Sequence, residues 1–93
     1  MIKEARTAHD VTYDGVTVRV FHANKGQGIA KHQHAYSHLT MVHAGSLAAR
    51  KEGKELVMTK YTQPVNLVGN EWHELEALED GTVFVNVFAE GKY

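Results

Sequence analysis

The 93-residue sequence contains no cysteine and a single proline. Without thiols there is no disulfide, no thiolate metal site and no cysteine nucleophile, a composition that suits a reducing compartment. Net charge is nearly absent as well: ten Lys and Arg against eleven Asp and Glu leave a formal −1. No basic excess advertises nucleic acid or an anionic membrane surface. No apolar run approaches the ~20 residues of a membrane-spanning helix. The opening M-I-K-E-A-R has no apolar stretch of the kind a signal peptide needs. Segments of helical period and useful length are also missing. These absences lead us to expect one domain over residues 1–93, cytoplasmic, with no nucleic-acid or membrane partner.

What is present is alternation. After Asp14-Gly15, a strong hairpin signal, the run V-T-V-R-V-F-H-A places Val16, Val18 and Val20 on one face and Thr17, Arg19 and Phe21 on the other. That is period two, hence strand. Further strands are expected over residues 2–8, 28–34, 38–44, 46–50, 54–60, 65–68 and 72–78, separated by turn signals such as Lys51-Glu52-Gly53 and Gly69-Asn70. Pro64 is expected at or just before a strand start, where its missing N–H does little harm. About nine short strands spaced by turns argue an all-β sandwich or barrel. The tail 90–93 reads as loose.

Residues 82–89, T-V-F-V-N-V-F-A, are apolar on both faces. A strand with one face in water should alternate with polar residues, so its outer face is expected to be covered. A two-fold homodimer is the commonest cover; another strand of the same chain is the alternative.

The chemistry concentrates in residues 26–45, G-Q-G-I-A-K-H-Q-H-A-Y-S-H-L-T-M-V-H-A-G, which hold four of the seven histidines. In a strand, His32 and His34 aim their imidazoles the same way. Ala35, Tyr36 and Ser37 look like a tight connection, and His38 opens the next strand with Thr40, Val42 and Ala44 on its face. Two antiparallel neighbours would then bring three imidazoles to one point, as a first-row transition metal requires. A helical reading with His34 and His38 as i, i+4 partners fails, because Ala35 stands where a zincin helix needs glutamate. His43 has the opposite parity and should point away. His9 and His22 read as surface or strand-face residues.

The spacing Gly26, five residues, His32-Gln33-His34, three residues, His38, six residues, Gly45 resembles the first motif of the cupin superfamily, G-x5-H-x-H-x3,4-E-x6-G. The resemblance implies a small antiparallel jelly-roll β-barrel with one divalent transition metal inside (Fe, Ni, Zn, Mn or Cu). It makes His32 and His34 the first two ligands and sets His38 where the family usually has its glutamate. The family's second motif, roughly G-x5-P-x-G-x2-H-x3-N, is degraded here. His73 is similar to its histidine, Gly69 lies one place too far, Pro64 is too far upstream, and the asparagine would fall at Ala77, with Asn86 the nearest candidate downstream. The resemblance therefore implies a metal site of His32, His34, His38 and His73.

Four neutral imidazoles would leave the metal's full charge uncompensated, which favours a small anionic ligand. Thr40 should face the interior near that ligand. Asn86 either hydrogen-bonds in the pocket or satisfies backbone, and Tyr36 either lines the mouth or is an exposed loop residue. Trp72 should pack outside. Glu71, Glu74, Glu76, Glu79 and Asp80 form an acidic edge in the simplest reading, with Glu71 a carboxylate candidate near the metal. Three function classes stay open. One is a metal-dependent enzyme on an anionic small molecule, an oxygenase or a lyase or isomerase. The others are a non-catalytic binder of a small ligand or metal, as sensor or carrier, and a purely structural metal site. No separate catalytic acid or base stands out.

Overall fold

A computed structural model describes residues 2–93, and among them there is no helix. The chain forms ten strands: β1 Lys3–Glu4, β2 Arg6–Tyr13, β3 Val16–Ala23, β4 Gln27–His32, β5 His38–Ala44, β6 Leu47–Lys51, β7 Lys54–Met58, β8 Val65–Leu67, β9 His73–Ala77 and β10 Thr82–Ala89. They make two five-stranded sheets, ordered β1-β4-β9-β6-β7 and β2-β3-β10-β5-β8. We call them the first and second sheet. Strands that follow one another in sequence repeatedly change sheet, as in a jelly roll.

The expected alternation is what builds the interior. Along β10, Thr82, Phe84, Asn86 and Phe88 are buried while Val83, Val85 and Val87 are half-buried. β9 alternates likewise, with His73, Leu75 and Ala77 inside. Phe21 and Phe84 stack at 4.8 Å between ring centroids, and Leu47, Met58, Leu67 and Leu75 close the core around them. Burying such side chains is worth roughly 1.5–3 kcal/mol each, the main force holding two small sheets together.

Three expectations need correction. The segment 2–8 is not one edge strand: β1 pairs parallel with β4 in the first sheet, and the chain crosses at buried Ala5 into β2 of the second. The strand expected over 28–34 ends at His32, so His34 sits in the connection 33–37. The two histidine-bearing strands are also not neighbours. β4 pairs with β9 and β5 pairs with β10 and β8, in opposite sheets, so the imidazoles meet across the interior and not along one sheet.

Two glycines fit that arrangement for steric reasons. A Cβ on Gly28 would overlap the Leu75 carbonyl of β9. Gly45 has φ +77° and lies against Thr82, a backbone shape that favours glycine. We expect Gly28→Ala to push β9 away from β4 and to lower unfolding free energy by about 2–3 kcal/mol, measured by urea denaturation. Because β9 carries His73, metal affinity should fall with it.

Candidate metal centre

Four imidazoles meet at one end of the interior, each brought by a different piece of chain. His32 ends β4 and pairs directly with His73 at the start of β9. Their rings lie edge to face at 4.4 Å. His38 opens β5 from the opposite sheet, at 5.3 Å from both His34 and His73. His34 comes from the loop, and a second loop holds it in place. Asn70 N donates to the His34 carbonyl at 2.7 Å, Gln33 Nε2 donates to the Asn70 carbonyl at 2.9 Å, and Gly69 N donates to Ser37 Oγ at 2.9 Å. A Cβ on Gly69 would strike the Ala35 carbonyl. The degraded second motif thus still supplies the loop that clamps the first.

Ring nitrogens of His32, His34 and His73 all lie within 4.8 Å of one another. Adjacent donors on one metal with ~2.1 Å bonds stand about 3.0–3.5 Å apart, so binding would draw the trio together by roughly an ångström. His38, expected as a fourth ligand, lies outside that trio, its ring centroid 5.3 Å from those of His34 and His73. The trio includes no carboxylate, Glu71 among the absent ones. Glu74 and Glu76 instead pair with Arg50 at 3.0 and 2.8 Å on the outside. Glu79 accepts from Ser46 Oγ and Asp80 from Lys25 N. The acidic edge is therefore largely partnered.

Hydrogen bonds fix which nitrogen faces the centre. His32 Nδ1 donates to the Ala30 carbonyl at 2.9 Å, which can only accept, so its Nε2 keeps the lone pair. Thr40 Oγ1 donates its one proton to Asn86 Oδ1 at 2.7 Å. It must therefore accept from His38 Nδ1, 3.2 Å away, which frees His38 Nε2. Asn86 Nδ2 faces the Tyr93 hydroxyl at 3.5 Å.

Do these residues fit a metal? Both nitrogens of His34, both of His73 and Nε2 of His38 are buried with no hydrogen-bond partner. An unsatisfied buried polar atom costs about 1–3 kcal/mol, and one lone pair from each of these three neutral rings would be satisfied by an ion between them, the second nitrogens of His34 and His73 carrying the N–H. Burial also opposes protonation. It pushes His38 and His73 down to about 4, helped by the like charge the neighbouring histidines would carry, and it lowers His34. The rings are thereby held in the neutral form that binds metal.

Beside the cluster lies a cavity of about 330 Å³ lined by Glu4, Thr7, Asp10, Arg19, Phe21, Ile29, His32 and Tyr93. Arg19 pairs with Asp10 at 3.1 Å and lies over the Tyr93 ring at 4.7 Å. Sequence reasoning missed both residues. Tyr93 belongs to the tail expected to be loose, yet its ring stacks on His34 and His38 at 5.1 and 5.6 Å. An aromatic placed just after a turn at Glu90-Gly91 was the available signal. Of the residues expected near a ligand, Thr40 and Asn86 are fully buried behind His38. Tyr36 is exposed, with Lys92 Nζ 5.0 Å from its ring centroid. His43 faces outward as its parity requires. Trp72 packs under Lys31, at 4.3 Å.

Neither family models nor curated proteins match the sequence; solved structures do. A cupin 2 domain-containing protein from Halorhodospira halophila superposes with a TM-score of 0.83 at 16% identity, over 97% of this chain and 67% of that one. KdgF from Halomonas sp. gives 0.78 at 17%, over 87% and 74%. A double-stranded β-helix domain protein from Klebsiella pneumoniae gives 0.75 at 24%, over 95% and 78%. Two sheets wound as a double-stranded β-helix define the class. The fold of this chain is the cupin fold.

The buried histidines make the metal-free protein acid-sensitive. Their folded pKa values lie below the 6.5 of the unfolded chain, so the unfolded state binds more protons as pH falls from about 6.5 towards 4. Stability is full above 6.5 and drops through that window, by a few kcal/mol in total. Urea midpoints measured from pH 8 to pH 4 check this; a flat profile would contradict it.

Proposed function

We propose that this chain binds one divalent transition metal and acts on a small anionic molecule as a metal-dependent enzyme, an oxygenase first and a lyase or isomerase otherwise. The observation that carries it is the set of converging imidazole nitrogens left buried and unpartnered. His32, His34 and His73 would hold the ion, with His38 the fourth donor. When bound, it supplies Lewis acidity or a one-electron relay at its open positions. Iron, nickel, zinc, manganese and copper all accept such donors.

The chain's own residues do the rest. Thr40 and Asn86 keep the His38 Nε2 lone pair aimed inward. Phe21 and Ile29 give the adjoining cavity a dry wall, and Arg19 sets a cation at its side. Four neutral donors leave the metal charge uncompensated, which favours an anion over a neutral ligand. A binding role without turnover, as sensor or carrier, is the second reading. The Tyr93 ring stacked on His34 and His38 favours it, since it fills space beside two of the histidines.

Tag-free protein should carry one metal per chain by elemental analysis. Thr40→Val should weaken the metal affinity about 10–100-fold and His73→Ala more, both followed by calorimetric titration. Absence of stoichiometric metal after incubation with each candidate ion would end both readings. Oxygen uptake with a panel of dicarbonyl, phenolic and carboxylate compounds then separates oxygenase from binder.

A further inference from the structure

One side of the barrel is an open seam. β7 ends the first sheet and β8 ends the second, and the two do not pair. Between them lies a cleft of about 230 Å³ whose floor is aliphatic: Ala49 of β6, Leu56 of β7, and Val65 and Leu67 of β8. Leu56 is the strand partner of core-facing Ala49 and so shares its inner face, yet it stays 43% exposed at the seam. Two cations stand at one end of this cleft. Lys51 continues the inward row of Leu47 and Ala49, and Lys54 is its direct strand partner. Like charges placed opposite each other destabilise a strand pair. Neither lysine has a carboxylate within ion-pair distance among the described residues. Glu55, also at the cleft, is taken by Arg50 at 2.6 Å. Glu52, in the turn between the lysines, accepts from Trp72 N at 3.1 Å. Lys51 Nζ reaches across the seam to the Asn66 carbonyl at 3.4 Å. The same end adjoins the histidines, since Lys51 pairs with His73 and Leu67 with His38.

We propose that this cleft binds a small carboxylate with an apolar body, the body on the aliphatic floor and the carboxylate on Lys51 with Lys54 beside it. The inference rests on the reading of an anionic ligand given above, though not on the metal, and it names the ligand's class and place. Charge decides the head group. A cation would meet two ammonium groups, and a neutral ligand would leave their repulsion standing. A carboxylate relieves that repulsion and accepts from both. The floor decides the body. Aliphatic side chains offer no donor or acceptor, so the hydroxyls of a sugar acid would give up water there without replacement. The cleft is smaller than the ~300–1,000 Å³ of sites for drug-sized ligands, which restricts the body to a single ring or a short chain. The cavity beside His32 is a poorer match, because Glu4 and Asp10 there stand against Arg19 alone.

Amide NMR titration of the full chain with sodium hexanoate tests it, in metal-loaded and in chelator-treated samples. Both should bind with a Kd of about 1 mM, with shifts centred on Lys51, Leu56 and Leu67. Hexan-1-ol lacks the charge and acetate lacks the body, so each should bind at least about tenfold more weakly. Lys51→Gln should weaken hexanoate at least about tenfold and leave hexan-1-ol unchanged, a split that lost packing does not produce. Leu56→Glu, at a position already 43% exposed, should fold and abolish hexanoate binding. Val57→Glu, on the opposite face of β7 and 51% exposed, should bind like the wild type. Hexanoate that shifts no cleft amide at about 10 mM overturns the proposal. So does a folded Lys51→Gln or Leu56→Glu that binds hexanoate like the wild type, and so does binding confined to metal-loaded protein with the cleft amides unmoved. Metal uptake with an empty cleft refutes this inference and leaves the metal reading standing; a filled cleft without metal uptake does the reverse.

Discussion

The structure turns on one constraint: imidazoles that have lost water must be held neutral, close together and aimed at one another. Each alone would be an ordinary satisfied histidine. Together, His34, His38 and His73 leave five nitrogens without partners, an arrangement no fold keeps unless something rewards it. Desolvation and mutual repulsion of their charged forms act in the same direction, so the cluster favours the state in which lone pairs are free. Acid sensitivity and metal readiness are two consequences of this one arrangement.

The two sheets divide the work of maintaining it. The first brings His32 and His73 together by direct strand pairing, where backbone register alone sets the ring separation. The second delivers His38 already oriented, because Thr40 and Asn86 occupy one interior row of β5 and β10. His34, outside both, depends on loop-to-loop hydrogen bonds. Its position therefore rests on loop contacts, to which the Tyr93 ring adds a stack.

Local pattern was legible in the sequence, and long-range pairing was not. The strands 38–44 and 82–89 appear with the bounds that alternation gives them, because side-chain parity is a local property. The inward placement of Thr40 and Asn86 and the outward placement of His43 follow from the same rule. Motif spacing identified His32, His34, His38 and His73 as a group, and the fold does gather them. Which strand pairs with which could not be read from alternation. A turn between β4 and β5 is compatible with a hairpin or with a step between sheets, and here the chain steps across. The end of β4 was likewise invisible, since the clamp that pulls His34 out of the strand is made by residues 69–70, far along the chain. Arg19 read as one polar position in a strand; only the meeting of β3 with the 90–93 segment gives it a role.

β10 shows why these levels cannot vary independently. A one-residue slip against β5 and β3 would exchange its faces. Asn86 would move to the solvent side, and a valine would stand opposite Thr40. The threonine proton would lose its acceptor, and the reason for His38 Nδ1 to carry a proton would go with it. At the same time Phe84 would leave its stack with Phe21 and turn to the outer face. Core packing, the tautomer of a donor histidine and the composition of the outer face are thus set by a single register. A buried amide in an otherwise apolar strand works here as a register marker as much as a hydrogen-bonding group. It can sit in only one row, and that row is the one next to the histidines.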